Sequence, residues 1–231
     1  MRTTRVEQWS DIADALAELG VTSSMPTLVS VGAAGGLSGD DSERLEPLFA
    51  GLTAVADRSG AVVVDGGTDR GVMRLLGRAR ARGHQFPLLG VVVEELVAPT
   101  DAGADDDRCP LESNHTHALL VPGTEWGDEV PWLAHAATIV ADGAPSVTLV
   151  VSGGEITYED AGASIAEGRA VLVAAGSGGT ADELAAATRG EEADERARAL
   201  ADSDLVYAFN FGKDGEHDLT TEVERILSER S

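Results

Sequence analysis

The sequence predicts an α/β fold in which a mainly parallel sheet carries helices on both faces. Short apolar segments typical of buried strands alternate with longer segments of helical periodicity along the chain. Four of the apolar segments run directly into glycine-rich turns, and a helical segment follows each turn. Because no internal repeat and no long linker interrupts this order, we predict one domain over residues 1–231.

The spacing of apolar residues and the turn residues between them define the elements. The predicted strands cover residues 27–31, 62–64, 88–93, 117–121, 147–151, 170–174 and 205–209. The predicted helices cover residues 9–19, 41–59, 72–79, 127–142, 155–167, 179–201 with a break near Gly190, and 219–229. Ser10 is the expected cap of the first helix, and Thr220 or Thr221 that of the last. Residues 98–110 read as an acidic loop.

The chain is strongly acidic, with a formal net charge of -23 and a pI of about 4.3. This charge opposes binding to nucleic acid and to anionic lipid. No apolar stretch reaches the roughly 18 residues of a membrane helix, and the N-terminus lacks the apolar core of a signal peptide. Cys109 is the only cysteine, which excludes an intramolecular disulfide. We therefore expect a cytoplasmic protein without membrane or nucleic-acid partners.

The basic residues are almost all arginine, with Lys213 the only lysine among 17. Two explanations fit this composition: a GC-rich genome, or a high-salt cytoplasm in which salt screens the self-repulsion of a dense acidic surface. In either case an anionic ligand needs local positive charge from arginine and from helix N-termini. The arginines that follow residue 71 are expected to form a solvated helix face; they are Arg74, Arg78, Arg80 and Arg82.

The four glycine-rich turns are the candidate ligand-binding segments. Glycine lets the backbone approach a ligand closely, and the N-terminus of the following helix favours phosphate. We expect the turns at 32–36, 66–71 and 176–180 to hold phosphates, and the turn at 153–160 to contact ribose or base. The candidate residues are Gly32, Ala33, Gly35, Gly36, Gly66, Gly67, Thr68, Arg70, Gly71, Gly153, Gly154, Glu155, Gly176, Ser177, Gly178, Gly179 and Thr180.

Several candidate side chains have a structural alternative. The hydroxyls of Thr68, Ser177 and Thr180 can contact phosphate or cap the following helix, and at Thr68 both roles can hold together. Glu155 either accepts ribose hydroxyls or stabilises the helix dipole as a first-turn charge. Trp126 either stacks on an adenine face or packs over its own loop.

The histidine pair and the single cysteine are the candidates for metal binding and nucleophilic catalysis. His115 and His117 would face the same way on one strand, but no nearby cysteine completes a zinc set, so we predict no metal site and a structural or pocket-lining role. The acidic loop around Cys109 would raise its pKa and weaken it as a nucleophile. The chain also has no G-x-S-x-G, H-E-x-x-H or Walker motif, so we predict no catalytic residue from motifs alone.

Four segments taken together resemble a known family. They are LVSVGAAGG, GAVVVDGGTDRGVMRLLGRA, NHTHALLVPGTEWGDEV and TLVVSGGEITYEDAGASIAEGRAVLVAAGSGGTADELAAAT, in this order. They resemble the SLOG superfamily of Rossmann-like nucleotide-binding domains, in the prokaryotic branch that is similar to the cytosolic N-terminal domain of melastatin-type TRP channels. The resemblance covers residues 27–189.

The resemblance implies binding or sensing of a nucleotide-derived ligand, such as ADP-ribose or a cyclic ADP-ribose-like molecule, with no required cofactor. It leaves signalling through a partner or through a homo-oligomer open. The alternative comes from a more distant branch, the cytokinin-activating phosphoribohydrolases, whose signature is PGGxGTxxE. Here the double glycine and Thr157 match, whereas Ile156 replaces a glycine and Asp160 replaces the glutamate. That alternative is a hydrolase of an N-glycosidic or diphosphate bond, with Asp160 or Glu159 as its acidic group.

Overall fold

The computed structural model describes residues 1–35, 37–99, 107–211 and 215–229, with the backbone alone for 215–217. In these residues eight strands form one sheet: β1 (Arg2–Arg5), β2 (Thr27–Gly32), β3 (Val62–Asp65), β4 (Leu88–Val93), β5 (His117–Val121), β6 (Ser146–Val151), β7 (Ala170–Ala175) and β8 (Val206–Asn210). The helices are α1 (Ile12–Leu19), α2 (Gly39–Ser59), α3 (Gly71–Arg80), α4 (Val130–Ala141), α5 (Glu155–Ala166), α6 (Gly179–Thr188), α7 (Glu195–Ala201) and α8 (Gly215–Leu227).

All neighbouring strands of the described sheet are parallel, in the order β1-β5-β4-β3-β2-β6-β7-β8. From β2 the chain builds outward through β3 and β4 to β5, then returns to place β6 beside β2 and builds outward to β8. This is a Rossmann-like α/β fold, as the sequence predicts. The strand order reverses between β2 and β6, and in such sheets the carboxyl ends of the strands at this point border a ligand crevice.

Helices cover both faces of the sheet and divide the core in two. Neighbouring strand residues alternate between the two cores, so that Val62 and Val64 pack in one and Val63 in the other. Residues of α1, α4, α5, α6 and α7 pack in the first core, and residues of α2, α3 and α8 in the second. Where both faces are buried, as in β2, β3, β4, β6 and β7, the strands are continuous apolar runs that sequence analysis detects.

The strand β1 is absent from the sequence-based prediction. Its four residues, RTTR, are mostly exposed, and it lies at the edge of the sheet with β5 as its neighbour. An edge strand that packs little against the helices has neither an apolar run nor a clear alternation. The physical signal on which the other strand predictions rest is therefore missing here.

The predicted cap of the first helix is wrong. A 3₁₀ turn at Trp9–Asp11 precedes α1, and the capping contacts come from Gln8 and Asp11, whose carboxylate accepts from the Gln8 N–H at 3.3 Å. Ser10 instead donates its hydroxyl to Asp11.

Two later helix boundaries also differ from the prediction. The helix α4 begins at Val130 rather than 127, because the Asp128 carboxylate closes a separate turn by accepting the N–H groups of Thr124 and Glu125 at 2.8 and 3.0 Å. The helix α8 begins at Gly215, so Thr220 and Thr221 lie inside it and do not cap it. Most of the predicted acidic loop at 98–110 lies outside the described residues, as does Lys213.

Candidate functional site

The carboxyl ends of β2, β3 and β6 open into a cavity of about 340 Å³, at the point where the strand order reverses. Small-molecule sites usually measure about 300–1,000 Å³, so this volume is at the lower end of that range. The lining residues are Ser30, Val31, Gly32, Ala33, Ala34, Gly35, Gly66, Thr68, Arg70, Met73, Trp126, Glu129, Leu133, Gly153, Gly154, Glu155, Ile156, Thr157 and Asp160. We call this space the switch-point cavity.

The switch-point cavity brings together residues of three of the four predicted turns. The predicted residues that line it are Gly32, Ala33, Gly35, Gly66, Thr68, Arg70, Gly153, Gly154 and Glu155. Gly67, Gly71 and the turn at 176–180 do not line it. Gly36 lies outside the described residues.

The turn between β3 and α3 is fixed against the turn after β2. Gly71 has φ +46°, and an added Cβ there would lie 1.7 Å from the carbonyl oxygen of Ala33. The Val72 N–H donates to the same oxygen at 2.9 Å. An L-residue at position 71 neither favours this conformation nor fits the space, so glycine here sets the position of α3. The cap position of α3 is Arg70 without a capping side chain, so the alternative prediction that Thr68 caps this helix is wrong.

A buried cluster of charged side chains supports the β3–α3 turn from behind. His115 Nε2 lies 2.7 Å from Asp65 Oδ1, and His115 Nδ1 lies 2.9 Å from Glu112 Oε2. The three side chains are almost completely buried. Burial alone would lower the pKa of His115, but the two carboxylates outweigh it and raise that pKa to about 9. Asp65 Oδ1 also accepts from the Gly67 N–H at 2.7 Å, which ties the cluster to the turn.

The two histidines of the HTH motif therefore have different surroundings. His115 precedes β5 and donates to carboxylates from both ring nitrogens, whereas His117 begins β5 and its Nδ1 lies 2.7 Å from the Thr116 hydroxyl oxygen. The expectation that both face the same way on one strand is wrong, because the strand begins only at His117. Burial lowers the pKa of His117.

The turn between β6 and α5 lines the switch-point cavity with Gly153, Gly154 and Thr157. The Gly154 N–H donates to the Thr157 hydroxyl at 3.3 Å, which closes the first turn of α5. Glu155 is exposed at the rim, and its carboxylate forms an ion pair with Arg196 that lowers its pKa. Its charge therefore already has a partner on α7.

The turn between β7 and α6 uses its hydroxyl groups within the protein. Ser177 Oγ donates to the Ala174 carbonyl at 2.6 Å and accepts the Ser152 N–H at 2.7 Å, and Thr180 Oγ1 donates to the Gly154 carbonyl at 2.7 Å. Gly179 has φ +55°, and an added Cβ would lie 2.1 Å from the Gly153 carbonyl oxygen. The predicted capping by Ser177 or Thr180 is wrong, because α6 has Gly178 at its cap position and no side-chain cap. This turn borders a separate cavity with Arg44 and Asp182.

Two carboxyl groups face the switch-point cavity from its helical side. Burial is the main cause that raises the pKa of Asp160 to about 8, and the neighbouring charges of Glu129 and Glu159 add to it. Burial also raises the pKa of Glu129, whose Oε2 accepts the Gly127 N–H at 2.9 Å. Glu159 is exposed and does not line the cavity. Asp160 is thus largely protonated at neutral pH and can donate a hydrogen bond.

Ser30 is a site residue that sequence analysis missed. It is 1% exposed in the middle of β2 and lines the switch-point cavity, and its hydroxyl has no hydrogen-bond partner among the described residues. Buried hydroxyls almost always have a partner, so this oxygen fits a polar group of a bound molecule. The sequence feature that could have identified this site residue is a serine inside the mostly apolar strand sequence TLVSVG.

The structure also revises the expected cause of the Cys109 pKa shift and the expected exposure of Arg80. The pKa of Cys109 is raised, as expected, but mainly because the thiol is buried rather than because the loop is acidic. Arg80 is not part of a solvated face: its guanidinium donates to the carbonyls of Phe86 and Asn114 at 2.9 and 3.2 Å.

Comparison with known proteins agrees with this architecture. The family described as SLOG in TRPM, prokaryote, matches residues 25–220, so the chain belongs to this family. Among solved structures, the X-ray structure of TM1055, a structural genomics target, has a TM-score of 0.55 and 19% sequence identity. The match covers 87% of this chain and 100% of that chain, and at this identity it shows the shared fold alone. No helix among the described residues is long and apolar enough to cross a bilayer.

Proposed function

We propose that this protein binds a nucleotide-derived ligand of the ADP-ribose type in the switch-point cavity. The observation that carries the proposal is the position of the cavity between the carboxyl ends of β2 and β6, lined by glycine-rich turns. Ligands of parallel α/β sheets bind at this point because loops from both halves of the sheet meet there. Membership of the SLOG family favours a small-molecule ligand.

The charges of the cavity favour one orientation of the ligand. Arg70 lies on the β3 side, whereas Asp160 and Glu129 lie on the side of α4 and α5. Phosphate groups are attracted to the arginine, whereas the carboxyl groups of Asp160 and Glu129 can form hydrogen bonds with ribose hydroxyls. We therefore place the phosphates beside Arg70, the ribose hydroxyls towards Asp160 and the base against the ring of Trp126.

Isothermal titration of the protein with ADP-ribose tests this proposal. We expect saturable binding by the wild-type protein and at least tenfold weaker binding by Arg70→Ala, since a charge-assisted hydrogen bond to phosphate contributes about 1.5–3 kcal/mol. Arg198→Ala is the matched control, because Arg198 is an exposed arginine of α7 that does not line the cavity. No saturable binding, or equal affinities of the two variants, would contradict the proposal.

The protonated state of Asp160 favours a second candidate function, hydrolysis of an N-glycosidic bond. A protonated Asp160 can donate its proton to the leaving nitrogen of the base while the bond between that nitrogen and the ribose carbon breaks. Water then adds to the ribose carbon and returns a proton to the Asp160 carboxylate. The products are the free base and a ribose with a hydroxyl at the former bond, so atoms and protons balance.

Asp160→Asn separates the two functions. Asparagine keeps the shape of the side chain but cannot transfer a proton, so turnover should fall at least a hundredfold if the protein is a hydrolase. ADP-ribose and adenosine mono- and diphosphates would be incubated with both proteins, and retained and free pools would be analysed by mass spectrometry. An unchanged nucleotide retained by both proteins indicates binding alone, whereas a new product made only by the wild type indicates the hydrolase.

A further inference from the structure

Three arginines line a second cavity beside the switch-point cavity. This cavity measures about 440 Å³ and lies between α2 and α3, with Arg70, Arg74 and Arg78 in its wall. Spacing of four residues places Arg74 and Arg78 on one side of α3, and Arg70 lies at the cap position before the helix. We call it the arginine cavity. It shares Ala34, Gly35 and Arg70 with the switch-point cavity, so the two cavities are neighbours.

This arrangement of charge is unfavourable for α3 itself. Like charges four residues apart repel one another on a helix surface. Cations at the N-terminus of a helix also oppose its dipole, and α3 has Arg70 at its cap, Arg74 in its first turns and no acidic residue in its first turn. A bound anion would screen the repulsion between the arginines and would interact favourably with the helix dipole. In a chain with 40 acidic and 17 basic residues, three arginines around one cavity are a marked local excess.

The acidic residues around the arginine cavity do not neutralise it fully. Arg74 is paired with Asp69 at 2.7 Å, and Glu46 on the opposite wall is paired with Arg82 at 3.1 Å. Glu43 also lines the opposite wall. The guanidinium of Arg78 is exposed and has no hydrogen bond or ion pair within the described part of the chain. Arg78 is therefore available to a ligand group that enters this cavity.

We propose that the arginine cavity binds a second anionic group of the same ligand. The inference rests on the proposed nucleotide binding in the switch-point cavity. That cavity measures only about 340 Å³, so a long ligand extends from it past Arg70, a residue that both cavities share. The ligand class is then a nucleotide that carries a phosphate at the end opposite its base.

Two ligands that differ by one phosphate test the inference: ADP-ribose and ADP-ribose 1″-phosphate. We expect the wild-type protein to bind the phosphorylated ligand at least tenfold more tightly. In Arg78→Ala the preference should fall below threefold while the affinity for ADP-ribose stays unchanged, because Arg78 does not line the switch-point cavity. Arg198→Ala should keep the full preference. Inorganic pyrophosphate serves as a third probe, and its binding should also weaken at least threefold in Arg78→Ala.

The outcomes distinguish failure of this inference from failure of the proposed function. If ADP-ribose binds, but Arg78→Ala changes neither the preference for the phosphorylated ligand nor the affinity for pyrophosphate, the second subsite is overturned and the proposed function stands. If ADP-ribose does not bind but pyrophosphate binds through Arg78, an anion subsite stands and the proposed function fails. If none of the three molecules binds, both are overturned.

Discussion

Two glycine-rich turns with similar sequences have different uses in this fold. The β3–α3 turn, with Gly66 and Thr68, faces the switch-point cavity, while the buried cluster of His115 holds it from behind. The β7–α6 turn directs its two hydroxyls, from Ser177 and Thr180, to backbone groups of neighbouring turns. The comparison teaches that a strand–glycine–hydroxyl–helix pattern identifies the binding edge of the sheet. It does not tell which turn is open to a ligand.

Removing the support of the β3–α3 turn should have the largest effect. His115→Gln leaves Asp65 and Glu112 buried without their cation, and losing one partner of a buried ion pair costs about 3–5 kcal/mol. Urea unfolding measures this loss. His84→Gln is the control, because its pair with Asp57 is partly exposed and should contribute about 1 kcal/mol or less. Equal losses in both variants would show that the buried cluster does not support the turn.

The same cluster predicts how stability depends on pH. The pKa of His115 is raised to about 9 in the folded protein, against about 6.5 in an unfolded chain. The folded state then binds more protons than the unfolded state between these values, so the stabilisation is complete below pH ~6.5 and is lost as the pH rises through about 9. The free energy of unfolding should fall more steeply over this range in the wild type than in His115→Gln, in which only the fall caused by the raised pKa of Asp160, up to about pH 8, remains.

Each of the two turns has a glycine with positive φ that lies against a backbone carbonyl of a neighbouring turn, and substitution of either glycine should disrupt this packing. Gly71→Ala and Gly179→Ala each force an L-residue to positive φ, at about 1–2 kcal/mol, and place a Cβ against a backbone carbonyl, at about 1–3 kcal/mol more. We expect each variant to lose about 2–5 kcal/mol in denaturant unfolding. Gly190→Ala controls for the cost of positive φ alone, because Gly190 also has positive φ but no atom lies near its Cβ position. If the free energy of unfolding falls no more than it does in Gly190→Ala, these glycines do not lie against the neighbouring carbonyls.

Two side-chain substitutions test whether one turn contributes to stability and the other to ligand binding. Ser177→Ala removes two buried hydrogen bonds and should cost about 1–3 kcal/mol of stability, with ADP-ribose affinity unchanged. Thr68→Ala should instead weaken ADP-ribose binding severalfold, because Thr68 lines the cavity. Calorimetry for binding and urea unfolding for stability measure both effects. The reverse pattern would mean that the ligand lies at the β7–α6 turn.

The smallest expected effect concerns the whole chain rather than one turn. A net charge of -23 repels itself in the folded state, and raising the salt concentration from 0.1 to 1 M shortens the screening length from about 10 to about 3 Å. We expect a gain of about 1 kcal/mol, which is a rise in Tm of about 2–4 °C for a chain of this size. Thermal unfolding at the two salt concentrations measures it. Unfolding already at low salt and room temperature would indicate adaptation to a high-salt cytoplasm instead.

Sequence patterns predict the parts of this molecule that depend on local apolar spacing. The strands β2 to β7 follow from it because both of their faces are buried, whereas the polar edge strand β1 does not. The site depends on contacts between distant segments. Asp65 and His115 are 50 residues apart, and the two carboxyl groups with raised pKa come from the residue before α4, Glu129, and from α5, Asp160. No local pattern encodes such contacts.

A crystal structure of the protein grown with ADP-ribose tests the central claim most directly. The account predicts nucleotide density between the ends of β2 and β6, with phosphate oxygens beside Arg70 and the ribose towards Asp160. Density at the β7–α6 turn beside Arg44, or on a surface away from the carboxyl edge of the sheet, would contradict it.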